Sequence, residues 1–217
     1  MLLQFITDAK SKQHSVTEQI ESVIKGGCKW ITIKMDDASD EEIKKVVEEV
    51  KPLCLKEEVF LILENHVDLA KEVNVGGVEL NASSIIGPSK ARMILGPAAV
   101  IGTTVNDEST IDSLKIYDID YFKIGPFNRE INDKDSYLSI DEIHKLCNYI
   151  EDNDISIAHV AYGDIGLEDV DTLMSAGVNG IVVSQAISEA EDMTEETVKF
   201  INKLQPYIKT DEELKID

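Results

Sequence analysis

The chain has 217 residues, 43% of them apolar, and carries 42 acidic against 21 basic side chains for a net charge of −21. Such a length and composition describe one globular domain rather than a disordered chain, able to bury about 70% of its unfolded surface. The charge argues against nucleic acid or an anionic membrane surface as partner. With no apolar run of about eighteen residues and an immediate first strand, no membrane span or signal peptide is expected, and the cytoplasm is the predicted compartment.

LLQFITD (2–8) reads as a first strand, followed by a helix over 15–25 that Gly26-Gly27 ends. WITIKM (30–35) is a second strand, and Ser39 opens a helix to about 55 with Glu42 three residues on, a capping box. VFLILE (59–64) and a short helix over 67–73 follow, then GGVEL (76–80) and a helix over 88–95. AVIGTTV (99–105) precedes a helix over 108–115. DYFKIG (120–125) leads through the polar loop NREINDKDSY to a helix capped by Ser139 and Glu142.

The last two strands lie in SIAHVAYGDIGLEDVDTLMSAGVNGIVVSQAI (156–187): strand 157–162, a Gly163 turn, helix 168–176, Gly177 and Gly180, then strand 181–184. Apolar, β-branched runs punctuated by glycine are the pattern of buried parallel strands. Leu167, Val170, Leu173 and Met174 give the intervening helix one apolar stripe, and Gly177 stands where a helix end favours positive φ. A helix over 194–204 closes the chain, and an acidic tail over 207–217 follows a domain spanning 1–206. Eight strand-then-helix units without a linker predict an α/β fold, a single (β/α)8 TIM barrel, since an open doubly wound sheet usually stops short of eight.

Cys28, Cys54 and Cys147 are scattered, without a CxxC or a histidine at metal spacing, and read as reduced thiols. Ligands of a barrel meet the C-terminal ends of its strands. That selects Lys34 to Asp37, Glu64 to His66, Glu79 to Ser84, Thr103 to Asn106, Gly125 to Lys134, Gly163-Asp164 and Ser184-Gln185.

FITD, GGCKWI with DASDEE, VDLA, GGVEL, ARMILGP, IGTT, DYFKIGPF and GDIGLEDV…AGVNGIVVSQAI…AED, over about residues 2–204, resemble the thiamine-phosphate synthase family. The resemblance implies a barrel of thiamine biosynthesis and a transferase. Its enzymes join a pyrimidine methyl diphosphate to a thiazole phosphate with magnesium and release pyrophosphate through a pyrimidine cation. A relative of the same fold is a thiazole tautomerase. The implied partners are small phosphorylated thiamine precursors or a related small molecule, and exposed barrel helices in this fold commonly support a homo-oligomer.

Carried over residue by residue, the family's Gln-x-Arg-x-Lys grip on the pyrimidine and its diphosphate falls on Thr32, Lys34 and Asp36. Lysine keeps the charge of arginine but loses its fork, and aspartate reverses a phosphate contact. Asn-Asp-Arg after the third strand falls on Glu64, Asn65 and His66, so the two magnesium aspartates become Asn65 and Ser84, and a histidine becomes Glu79. Magnesium on a diphosphate favours carboxylates, and Glu64 and Glu79 are the replacements available nearby. Thr104 keeps a hydroxyl, and the tautomerase-type histidine falls on Asn106. The Thr-x-Thr-Lys loop becomes Glu130, Ile131, Asn132 and Asp133, with Lys134 one place late. Gly163 of a Gly-Gly phosphate cradle is kept beside Asp164, and Val183-Ser184 match while Gln185 departs from a small residue.

Lys123 replaces a family glycine two residues before Gly125, on the same strand face. Turned inward, it needs partners, for which Glu79, Asp36 or Glu64 are at hand. Lys34, Lys134 and His159 are the candidate catalytic groups, with His66 a further acid/base candidate. A core histidine satisfied by hydrogen bonds is the favoured account of His159, and one solvated and one lysine-paired carboxylate that of Glu64 and Glu79, while a salt bridge to Asp36 or Asp37 accounts equally for Lys34. Three readings stay open: coupling enzyme with a rebuilt metal site, barrel with another reaction, or non-catalytic paralogue that binds a precursor or a protein.

Overall fold

A computed structural model describes residues 2–129 and 137–208. β1 (Leu3–Ile6), β2 (Trp30–Ile33), β3 (Phe60–Glu64) and β4 (Gly77–Leu80) are followed by β5 (Val100–Val105), β6 (Tyr121–Phe127), β7 (Ala158–Gly163) and β8 (Ile181–Val183). Each pairs in parallel with the next, and β8 pairs back onto β1, so the sheet closes into a barrel. Outside it lie α1 (Val16–Lys25), α2 (Asp40–Lys56), α3 (Val67–Glu72), α4 (Pro88–Leu95), α5 (Glu108–Leu114), α6 (Ile140–Asp152), α7 (Val170–Ser175), α8 (Gln185–Ser188) and α9 (Met193–Leu204). The last described element is a 3-10 turn, Gln205–Tyr207; residues 209–217 of the predicted tail lie outside the described residues.

The helix starts follow local chemistry. Ser39 Oγ accepts from the Glu42 amide while the Glu42 carboxylate accepts from the Ser39 amide, and Ser139 with Glu142 repeats the exchange. Ser15 and Glu18 form a third such box at α1.

Several ends differ from the sequence-based bounds. β1 stops at Ile6 because side chains take over the backbone partners: Thr7 Oγ1 donates to the Lys34 carbonyl at 3.1 Å, and the Asp8 amide donates to Gln19 Oε1 at 2.8 Å. β6 runs on through Phe127, where it pairs with Gly163 after a register shift. The single helix expected over 168–176 is a 3-10 turn, Leu167–Asp169, and then α7, with the Asp169 carboxylate accepting from the Gly166 amide at the turn. The short helix α8 was not anticipated.

Two apolar clusters result, because each strand shows alternate faces to opposite sides. The larger lies between barrel and helices; the smaller, inside the barrel, holds Ile6, Trp30, Ile62, Tyr121, Val160 and Val182. Trp30 meets Tyr121 edge to face, ring centroids 4.9 Å apart. Gly102 makes this possible, for a Cβ there would collide with the Tyr121 ring. Above this apolar floor the barrel interior turns polar toward the C-terminal strand ends.

Candidate functional site

The polar interior is built from strand positions that alternate inward. Gln4 Nε2 donates to Thr32 Oγ1 at 2.6 Å and to Glu79 Oε2 at 3.0 Å, and Tyr121 Oη donates to the same Glu79 oxygen at 2.8 Å. Burial, and next the Glu79 charge, push the Tyr121 phenol well above its ordinary range, so it stays a donor. The Lys123 ammonium contacts Glu79 Oε1 and lies 3.9 Å from Glu64 Oε1. Lys123, Glu64 and Glu79 are all buried, and the ammonium sits 4.6 Å from the Tyr162 ring centre, a cation–π distance.

Neither carboxylate is solvated, which corrects the expected division into one exposed and one paired group: Glu64 is 5% exposed and Glu79 is 0% exposed. Burial raises the Glu64 pKa; the charges of Lys123 and Lys34 oppose that shift, and Glu79 and Asp36 add to it. Lys34 stands at the rim, 3.7 Å from both Asp36 and Glu64, so Glu64 is a partner that the chain order did not suggest.

Over this network opens a cavity of about 470 Å³ whose wall includes Lys34, Glu64, Thr104, Lys123, Tyr162 and Ser184. Beside it a second cavity of about 550 Å³ shares Lys34, Gly163 and Ser184 and carries Lys10 among Asp8, Asp36, Asp37, Glu42 and Asp164. Thr104 Oγ1 is buried and has no hydrogen-bond partner among the described residues. Gly163 has φ +144°, and a Cβ there would collide with the Phe127 backbone. The Asp164 amide donates to the Phe127 carbonyl at 2.9 Å, and the Asp164 carboxylate accepts from Asn128 Nδ2 at 3.4 Å.

The other expected site residues are placed elsewhere. Thr32 is fully buried in the interior layer beneath the cavity, bonded to Gln4. Val183 packs its side chain into the outer core, which leaves only its backbone to face the mouth. His159 is held by backbone carbonyls outside the barrel interior. It neighbours Val160, whose side chain is inside the barrel, so its own points outward, with Nε2 3.1 Å from the Gly177 carbonyl. His66 caps no backbone group with its side chain but meets Asp40 at 2.7 Å. Glu130, Ile131, Asn132, Asp133 and Lys134 lie outside the described residues. Gln4, Tyr121 and Tyr162 were not anticipated; the polar Gln4 inside the apolar run LQFI is the one signal that pointed there.

The donor set does not fit the magnesium that the family resemblance implies. Asn65 Oδ1 accepts from the Asn81 amide at 3.0 Å and so ties its loop to the next one, and Ser84 Oγ donates to the Ile86 carbonyl at 3.0 Å within its own loop. The carboxylates of Glu64 and Glu79 face an ammonium. Among the described residues no group of three or more His, Cys, Asp or Glu side chains is arranged to hold a metal.

A closed eight-stranded parallel barrel with a polar mouth at the strand C-termini defines the class: a (β/α)8 barrel. A family model described as thiamine monophosphate synthase matches residues 3–187, and the chain belongs to that family. It is similar to a thiamine-phosphate synthase of Bacteroides fragilis, 40% identical over 207 residues that cover 92% of this chain and 98% of that protein. A thiamine-phosphate synthase of Bacteroides thetaiotaomicron is 35% identical over 202 residues, covering 92% and 96%. Among solved structures, a thiamine phosphate pyrophosphorylase from Pyrococcus furiosus superposes with TM-score 0.83 at 22% identity, over 96% of this chain and 97% of that one, a likeness of fold. No helix among the described residues is long and apolar enough to cross a membrane.

Proposed function

We propose that this protein is a divergent thiamine-phosphate-synthase-family barrel that binds a small thiamine precursor at its mouth and does not carry out the magnesium-dependent coupling. The observation behind this reading is the closed contact of Lys123 with Glu79 and Glu64, which sets a fixed ammonium beside Glu64 in the cavity wall. A diphosphate carries several negative charges, and among the described residues the rim offers it two lysines among five carboxylates. Without a bound cation such a rim repels it. The retained groups, Gly163 and Ser184, favour a smaller ligand with a single phosphate or none.

A second reading is favoured by the 40% identity to the Bacteroides fragilis thiamine-phosphate synthase. In it the coupling persists, with a cation held by residues other than the family's aspartates.

The separating experiment incubates the protein with both phosphorylated precursors and magnesium, beside an active family member, and scores thiamine phosphate. No product, together with calorimetric binding of the thiazole phosphate alone, supports the first reading. Product at a rate comparable to the active member overturns it in favour of the second. Neither product nor binding of either precursor overturns both.

A further inference from the structure

The geometry points to Lys123 as a tethered cation: its ammonium occupies, between Glu64 and Glu79, the place of a divalent ion, and taking it away opens a metal site. We propose this of the chain's own residues, and it leans on the reading above only for which ligand the mouth receives.

Three features carry it. First, Glu64 and Glu79 are partners in the β3–β4 register, so their carboxylates converge on one point, and Lys123 reaches that point from β6 across the barrel. Two buried carboxylates side by side repel each other and must share a cation or lose a charge. The ammonium meets that need internally.

Second, an unpartnered hydroxyl lines the same cavity. Thr104 is the register partner of Lys123, lines the same cavity, and its Oγ1 has no partner among the described residues. Carboxylate and hydroxyl oxygens beside a cavity are the ligands of a hard divalent cation rather than of a further lysine.

Third, the ammonium belongs to the wall of the ligand cavity. A ligand entering there meets one positive charge that cannot dissociate and that no chelator removes. The two carboxylates fix its position more firmly than the half-exposed Lys34 is fixed at the rim.

The test uses manganese chloride alone, with no precursor present, on the full chain. Lys123→Ala removes the ammonium and leaves space; Lys123→Met removes the charge and keeps the space filled. Calorimetry and electron paramagnetic resonance should find one tight manganese per chain in Lys123→Ala that neither Lys123→Met nor the unaltered protein binds. The thermal midpoint of Lys123→Ala alone should rise with the metal, and Glu79→Gln added to it should abolish that rise.

Equal manganese binding by Lys123→Ala and the unaltered protein would overturn the proposal. So would a tight site in the unaltered protein that Glu79→Gln removes, because lysine and metal would then coexist. If Lys123→Ala does not stay folded without added ions, its refolding yield is read against manganese: a yield that climbs with the metal supports the assignment, and one that does not move overturns it. Failure of a precursor to bind would strike the proposed function and leave these readouts untouched.

Discussion

Glu64 and Glu79 stand opposite one another on adjacent parallel strands, and a single buried ammonium, that of Lys123, faces both. Removing one partner of a buried ionic cluster leaves the others charged and desolvated, which costs about 3–5 kcal/mol. Lys123→Met should therefore destabilise the protein by roughly that amount in urea unfolding. Adding Glu79→Gln to Lys123→Met should recover part of the loss, since the stranded charge is gone. A Lys123→Met variant with an unchanged midpoint would mean that the network contributes nothing to stability.

Glu64 supplies a pH dependence with a definite sign. Its pKa is raised in the folded state, chiefly by burial. A raised folded value means that stability from this group is present at low pH, below the unfolded carboxylate range, and is lost as pH climbs through the folded value. Glu64→Gln removes that loss, so the stability of Glu64→Gln relative to the unaltered protein should grow as pH rises across that window. The growth amounts to about 1.4 kcal/mol for each pH unit between the unfolded and folded titrations of the carboxyl. Urea midpoints across the acid range measure it. A difference that shrinks as pH rises would show that Lys123 and Lys34 outweigh burial.

The barrel was legible because its signals are local: apolar runs cut by glycine, and Ser-x-x-Glu boxes at Ser39 and Ser139 that the structure forms as expected. The inward turn of Lys123 was legible too, from strand alternation, and two of its three suggested partners, Glu79 and Glu64, are the ones it meets. The Lys34–Glu64 pair was not, because it joins residues at the ends of different strands and depends on barrel closure to set their distance. His159 was ambiguous for a related reason. Alternation says that His159 and Val160 point oppositely, but only the side on which Tyr121 and Lys123 gather tells which of the two is inside.

The capping boxes carry a measurable share of stability. Ser39 begins α2, whose first turn is acidic and whose amides need an acceptor. Ser39→Ala should cost about 1 kcal/mol, and Ser39→Asp should cost much less, because aspartate also caps. Chemical denaturation of the two variants decides it; equal loss from both would place the cost in packing rather than in the cap.

Gly163 occupies backbone space that a side chain cannot share. Its φ of +144° and the nearness of the Phe127 backbone mean that Gly163→Ala is both strained and crowded. A strain of about 1–3 kcal/mol is expected for the backbone alone. Since Gly163 lines both mouth cavities, thiazole-phosphate binding by calorimetry should weaken together with the unfolding midpoint. Full affinity in a destabilised Gly163→Ala would remove this turn from the ligand site.

The three cysteines are buried, and burial pushes their thiols up to about 11 for Cys28 and Cys54 and about 12 for Cys147. The thiolate is the reactive form, and near pH 8 a thiol that titrates at about 11 is ionised about one part in a thousand. Native protein should therefore release almost no thionitrobenzoate from a disulfide reagent over minutes, whereas denatured protein should release three equivalents per chain. Raising the pH toward 9 should leave the native signal small, because the thiolate is still scarce there. One equivalent released at once from the native protein would mean that a cysteine lies open to solvent, contrary to the packing of all three in the outer core.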